Sequence, residues 1–194
     1  MNKITIVALL SVFVATPVLA DNSGKFYVAA DFGTSSLNNV TVPAVGGFPA
    51  ATFLNPGMGR IAVGYHFSPM IAVEVGYSKF ADTSLDYAAV GKATLAMNST
   101  QVAAVGSYPL NSQFDLLGKL GVSRNSASSS GTGAFAGLVN SSTSQSDLLI
   151  GVGAQYNVSS QFGIRVQYDS FGKFDSSSQP ISASAISVGV VSSF

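Results

Sequence analysis

Six ionisable residues lie in sparsely charged, alternating stretches of the chain: Asp31, Arg60, Glu74, Lys119, Arg165 and Asp169. Three acids and three bases placed this way have two chemistries open to them. Paired and hydrogen-bonded, they neutralise one another inside a closed interior, which is the condition for burying charge at all. Left partly unpaired along a path, they gate the passage of ions. Hydrolytic chemistry is poorly served. Acyl transfer needs a nucleophile, a base and an orienting acid within reach of one another, and His66 is the sole histidine, with no companion signature. It reads as a satisfied interior side chain. No Gly-rich phosphate loop and no His/carboxylate cluster with ligand spacing occurs, and with no Cys there is neither a disulfide nor a thiolate metal site. No catalytic, cofactor-binding or metal-binding residue is assigned, and the chain is not expected to be an enzyme.

The elements that must hold these charges follow from composition and period. Residues 1–20 read as an export signal: Lys3 gives a basic start, Ile4 to Val14 an apolar core, and Val18 and Ala20 the small residues of a cleavage site. Residues 21–194 form the expected single domain. Without Lys3 it carries eight Lys or Arg against nine Asp or Glu, so the basic surplus a nucleic-acid binder needs is missing. Only 9% of the chain is charged, against about 25% in a soluble domain. Yet no apolar run beyond the signal approaches the ~20 residues of a membrane helix. An apolar chain without a spanning helix leaves the closed barrel, in which every backbone donor and acceptor is paired.

Eight alternating segments fit that architecture, an all-β, eight-stranded antiparallel up-and-down transmembrane barrel. They run Lys25 to Gly33, Arg60 to Phe67, Ile71 to Ser78, Leu95 to Tyr108, Phe114 to Ser123, Leu148 to Tyr156, Phe162 to Asp169 and Ile186 to Phe194. In the fourth the parity is legible only from Val102 onward, which allows a bulge or a different start. Alternation by itself does not say which face meets lipid, since a soluble barrel has the same period. The second face decides it. It is mostly Gly, Ala and Ser with about one charge per strand, which suits a cramped interior and not a water-facing surface.

Short links join strands two to three, four to five and six to seven, whereas Thr34 to Gly59, Ala81 to Thr94, Asn125 to Asp147 and Gly172 to Pro180 are read as long loops. Outer-membrane barrels turn tightly in the periplasm and loop widely outside. Tyr65, Phe67, Tyr108, Phe114, Tyr156 and Phe162 flank the short turns and, with Phe26 and Phe194 at the termini, read as a periplasmic aromatic girdle, with Phe32, Tyr77 and Tyr168 forming a thinner outer one. The segments Tyr108 to Phe114 and Tyr156 to Phe162 share a pattern ending Ser-Gln-Phe, as expected of a repeated hairpin turn. Counted from the girdle, Glu74 and Arg165 lie about three residues up, Asp31 and Lys119 about five, Arg60 and Asp169 about seven. Opposite signs at similar heights invite a lumen charge network whose partners depend on strand stagger.

The segments Phe26-Tyr27-Val28-Ala29-Ala30-Asp31-Phe32-Gly33, Gly64-Tyr65-His66-Phe67-Ser68-Pro69, Val73-Glu74-Val75-Gly76-Tyr77, Gly118-Lys119-Leu120-Gly121, Gly151-Val152-Gly153-Ala154-Gln155-Tyr156 and Ile164-Arg165-Val166-Gln167-Tyr168, with the last strand, carry a resemblance in their order and spacing. The chain resembles the transmembrane domain of the OmpA-like outer-membrane family, opacity-type surface barrels included. The resemblance implies that Phe194, with Val190 and Val188 on the alternating last strand, is the signal read by the barrel-assembly machinery; Ser192 stands where the family prefers an aromatic. Because the sequence stops at this strand, the peptidoglycan-binding domain of larger relatives, and with it cell-wall anchoring, is not expected.

The expectation is therefore a monomeric barrel in contact with outer-membrane lipids, contributing to envelope integrity and, through its loops, to adhesion to host or other cell-surface ligands. The alternative is a small channel for ions or small apolar solutes. Ser126 to Gly133 reads as mobile solvated surface, and Val40, Val42, Val45, Phe48, Phe135, Leu138 and Val139 are the apolar handles that a ligand could use.

Overall fold

Strong β-alternation around Gly and Ser produces eleven strands in the computed structural model, which describes residues 23–38, 41–42, 51–52, 55–87, 91–133, 140–174 and 182–194. They are β1 Phe26–Asn38, β2 Thr41–Val42, β3 Ala51–Thr52, β4 Gly57–Ser68, β5 Ile71–Phe80, β6 Thr83–Tyr87, β7 Gly91–Pro109, β8 Phe114–Gly131, β9 Ser141–Asn157, β10 Phe162–Lys173 and β11 Ser182–Ser193. The sheet runs β5-β4-β1-β11-β10-β9-β8-β7-β6 and is closed by a further β5–β7 pairing. β6 is the upward continuation of β5, since both lie antiparallel along β7. Eight antiparallel staves thus form a closed barrel, and β2 and β3 pair with each other outside it. Closure leaves no sheet edge to face lipid.

Every stave puts its apolar set outside. Phe114, Leu116, Leu120 and Val122 of β8, and Leu148, Ile150 and Val152 of β9, are all exposed on the outer wall. On β8 the apolar wall covers Phe114 to Val122, roughly the 9–11 residues that a tilted membrane strand needs. Phe26 and Tyr65 lie in contact at 4.9 Å, Tyr65 and Phe67 at 5.0 Å, and Phe114 and Tyr156 at 4.9 Å, on the side of the short turns. The two similar segments make the same turn. Leu110 N and Asn111 N donate to Phe114 O, as Val158 N and Ser159 N donate to Phe162 O. Asn111 Oδ1 accepts from Gln113 N and Phe114 N, and Ser159 Oγ takes the equivalent bonds from Gln161 N and Phe162 N.

The strands differ from the sequence expectation at their outer ends. Of the stretch read as a loop from Asn125 to Asp147, β8 continues to Gly131 and β9 starts at Ser141. From Val122 to Ser129 the hairpin climbs about 23 Å further along the strand. Ser126 Oγ and Ser144 Oγ lie 2.8 Å apart, and Ser128 Oγ and Ser142 Oγ 3.2 Å, across its outer face. Beyond the bilayer the outward face meets water, and the inward face of β8 and β9 is largely polar as well, with Ser123, Asn125 and Gln145, so no hydrophobic period marks these two strands. The stretch Ser126 to Gly131 is accordingly ladder, not the solvated loop that its composition suggests. β1, β4, β7, β10 and β11 also outrun their expected ends, and β6 occupies part of the second expected loop. Residues Val40, Val45, Phe48, Phe135, Leu138 and Val139 lie outside the described residues, as does the side chain of Val42.

In β7 the parity is unbroken: Ala93, Leu95, Met97, Ser99, Gln101, Ala103 and Val105 all point inward. Above the bilayer this strand turns its apolar residues in and Thr94, Asn98 and Thr100 out, the reverse of its membrane half. That reversal hid its phase.

Candidate functional site in the barrel lumen

Along each stave the small inward residues leave room for a few long ones, and the interior fills in three layers. Lowest, towards the short turns, lies a cavity of about 400 Å³ whose walls include His66, Leu117, Asp115 and Gln155 and whose roof is Tyr27 and Arg165. His66 packs against Tyr27 with ring centroids 5.0 Å apart. Its Nδ1 meets no hydrogen-bond partner among the described residues, so the expectation of a fully satisfied histidine does not hold. Asp115 instead accepts from Asn157 Nδ2 at 2.7 Å. No Ser/His/acid arrangement is built here.

Above the cavity the six charges close into a ring of alternating sign. Arg60 Nε donates to Asp31 Oδ2 at 2.9 Å and its Nη1 to Asp169 Oδ2 at 2.8 Å. Asp169 Oδ1 faces Lys119 Nζ at 3.8 Å, and Lys119 donates to Glu74 Oε1 at 2.8 Å. Arg165 Nη1 donates to Glu74 Oε2 at 2.9 Å, and Arg165 Nε and Nη2 grip both oxygens of Asp31 at 2.7 Å each. Every member therefore touches two of opposite sign, all six side chains are at most 3% exposed, and the formal sum is zero. Glu74 with Arg165, and Arg60 with Asp169, meet at equal height from the girdle. Asp31 and Lys119 do not meet; stagger hands Lys119 to Glu74 and Asp169, and Asp31 to the two arginines.

Two further side chains complete the ring; alternation sets both on the inward face but gives no hint of their partners. Tyr27 Oη donates to Glu74 Oε2 at 3.1 Å, and Gln167 Oε1 accepts from Arg60 Nη2. Three glycines let the partners reach one another across an intervening strand. Gly189 registers between Asp31 and Arg165, Gly151 between Lys119 and Asp169, and Gly64 between Tyr27 and Glu74. A Cβ at Gly189 or at Gly151 would lie 2.2 Å from Asp31 Oδ1 or Asp169 Oδ1 respectively, and one at Gly64 would lie 2.1 Å from the Tyr27 ring. Only a residue without a side chain keeps the path between the charges open.

The third layer is apolar, which the expected polar interior did not include. Phe80, Phe171, Phe174, Leu149, Met58, Met97, Leu95 and Leu37 pack together inside the outer end. Phe80 makes edge contacts with Phe171 at 5.5 Å and Phe174 at 5.6 Å. A bulge in β10 supplies the last two: Ser170 pairs with Ser184 and Gly172 with Ala183, leaving Phe171 extra. Gly172 takes φ of 71°, a left-handed geometry that favours glycine. Ser123 Oγ and Asn125 Nδ2 hold the freed Phe171 carbonyl at 2.7 and 2.6 Å. Ser78, Ser99 and Gln101 line the interior between ring and plug, with Gln101 Nε2 bonded to Ser78 Oγ at 2.6 Å and Ser99 Oγ to Asn125 Oδ1 at 2.7 Å.

An apolar outer wall, complete closure and an interior of self-neutralising charge define the class, an eight-stranded barrel of the Gram-negative outer membrane. The chain belongs to the outer membrane protein beta-barrel domain family, whose model matches residues 5–194. Among solved structures it is similar to Ail, the attachment invasion locus protein of Yersinia pestis, in complex with the heparin analogue sucrose octasulfate. That similarity has a TM-score of 0.61 at 16% identity, covering 89% of this chain and 99% of that one. Neisserial surface protein A matches at 0.60 and 20% identity over 87% and 97% of the two chains. OprG from Pseudomonas aeruginosa matches at 0.60 and 12% over 91% and 99%. At these identities the likeness is one of fold. No curated protein matches the chain in sequence.

Proposed function

We propose that this is a non-catalytic, monomeric surface barrel that serves envelope integrity and presents its outer rim as a contact surface for host or other cell-surface ligands. The observation that carries the reading is the interior: a neutral ring of six paired charges beneath a plug in which Phe80 packs against Phe171 and Phe174 leaves the cavity closed above Tyr27 and Arg165. A filled lumen argues for rigidity over transport, since eight staves enclose only enough space for side chains. What then remains for recognition is the part above the lipid band. In the sequence, the segments at this end carry Lys79, Lys92, Arg124 and Lys173 against Asp82, Asp86, Asp147 and Asp175. Four cations balanced by four acids do not favour a polyanion such as the sulfated sugar bound by Ail, so the partner is better sought among neutral or apolar surfaces met by Val40, Val42, Val45, Phe48, Phe135, Leu138 and Val139.

In this reading residues 1–20 are an export signal removed from the 21–194 domain, and the last strand with Val188, Val190 and Phe194 is what the assembly machinery binds. Phe26, Tyr65, Phe67, Tyr108, Phe114, Tyr156 and Phe162 anchor the barrel at the periplasmic interface. Deleting residues 43–50 or 134–139 should leave assembly and heat-modifiable migration intact while lowering attachment of producing cells to host cells. Unchanged attachment in both deletions would remove the adhesive half of the proposal. Steady conductance of the purified wild-type barrel in planar bilayers would replace the closed-lumen half with the channel alternative.

A further inference from the structure

Below the ring of charges the lumen is not filled. The chamber of about 400 Å³ under Tyr27 and Arg165 reaches the short turns, where Met70, Asn111 and Ser160 stand at its mouth. That volume lies within the range of small-molecule pockets, roughly 300–1,000 Å³. Its wall has two halves. One is apolar: Tyr27, Val105 and Val191 pack together beneath the ring, and Leu117 continues that surface. The other is polar, and its groups hold one another in place. Gln155 Nε2 donates to Asn157 Oδ1 at 2.8 Å, and Asn157 Nδ2 donates to Asp115 Oδ2 at 2.7 Å. Gln155 also stands in register between Asp115 and Arg165. The charges here do not cancel. Arg165 is committed to Asp31 and Glu74, whereas Asp115 forms no ion pair among the described residues. The bond from Asn157 is on one carboxylate oxygen and leaves Oδ1 for another donor. His66 Nδ1, in the same wall, is buried without a partner among the described residues, and Asp115 is the acid whose charge acts on that ring.

We propose that this chamber is a dead-end binding site, entered from the periplasm, for a small primary amine with an apolar tail, whose ammonium is held by Asp115 and His66. The open groups call for a donor. A neutral imidazole with its proton on Nε2 accepts at Nδ1, a carboxylate only accepts, and an ammonium brings three donors and the charge that Asp115 lacks. The second half of the wall then sets the rest of the ligand: a short apolar body lies against Leu117, Val105 and Val191. An anion would meet an uncompensated carboxylate. A diamine would carry its second charge into the apolar half, towards Arg165. A metal ion is poorly served, since among the described residues no three acid or imidazole side chains come together to hold one. The site lies at the end of the barrel opposite the outer rim, so the loop deletions that test attachment leave it untouched and the two readings fail separately.

The test uses the full barrel folded in neutral-detergent micelles at about pH 8, where an ordinary imidazole is neutral. It is titrated with 2-phenylethylammonium, with 2-phenylethanol and with phenylacetate, and binding is read from backbone amide shifts. The amine should shift the amides of Asp115, Leu117, Gln155 and Asn157 saturably. The alcohol should bind about tenfold more weakly, and the anion should not bind. Asp115→Asn, which keeps a partner for Asn157, should weaken the amine about tenfold and leave the alcohol unchanged, and His66→Gln should weaken it about threefold. Asp82→Asn, an exposed acid outside the chamber, should have no effect. The comparison of the three solutes on the unaltered barrel needs no variant, so it stands even where a substitution hinders folding. Equal affinity for amine and alcohol, undiminished amine binding by folded Asp115→Asn, or shifts confined to the outward-facing residues of the wall would each overturn the proposal.

Discussion

Replacing Gly189 with Ala tests whether the ring depends on an unobstructed path between its members. Asp31 receives three charge-assisted bonds, two from Arg165 at 2.7 Å each and one from Arg60 at 2.9 Å. The added methyl would stand 2.2 Å from Asp31 Oδ1 and 2.4 Å from the Ala30 carbonyl oxygen. The carbonyl belongs to the Ala30–Val190 rung of the β1–β11 ladder, so the carboxylate is the easier group to displace. Swinging it aside strips Arg165 of its bidentate partner and leaves both ions without full compensation in a dry interior. The expected cost is about 3–5 kcal/mol, the range for breaking one side of a buried pair. Gly118→Ala is the matched control, because nothing lies within 4 Å of a Cβ there; it should be neutral or stabilise by under about 1 kcal/mol. Equilibrium urea unfolding of the two variants in phospholipid vesicles, read by tryptophan-free far-ultraviolet dichroism and by heat-modifiable migration, gives the difference. If Gly189→Ala unfolds within about 0.5 kcal/mol of Gly118→Ala, the ring tolerates slack, and the argument from close approach fails.

Three other outcomes follow from the same interior and wall. Glu74→Gln removes the one acid that Lys119 and Arg165 share, leaving each with a single charged partner. It should lower unfolding stability by about 3–5 kcal/mol while bilayer recordings stay silent, because the phenylalanine plug above is untouched. Phe171→Ala should cost about 3–5 kcal/mol by opening a cavity against Phe80, with amide exchange rising at the outer end of β10 and not at the periplasmic turns. Removing the Phe194 side chain should leave refolding in vitro unchanged, since its backbone N, bonded to Phe26 O at 2.9 Å, is retained and the ring is exposed. The same variant should slow assembly in cells, measured by pulse-chase of the folded, heat-modifiable form.

Which side of the wall each membrane residue takes was written in the sequence. Alternation is a local property of the pleat, so Asp31, Arg60, Glu74, Lys119, Arg165 and Asp169 could be set inward, and Phe114, Val122 and Leu148 outward, one strand at a time. Only the closed barrel decided who meets whom. Register and stagger couple residues over a hundred positions apart, as Arg60 and Asp169 are. They determine that Asp31 binds Arg165 across Gly189 while Lys119 passes it by. No sequence period could give Tyr27 to Glu74, or make Gly64, Gly151 and Gly189 the gaps through which partners touch. The ladder above the bilayer was equally hidden, because there the outward face of β8 and β9 meets water while their inward face is largely polar too, so no hydrophobic alternation marks it. Folding back at the Phe171 bulge then put apolar side chains inside, where the lower half keeps its charges, since the plug needs a dry contact and the ring needs only partners.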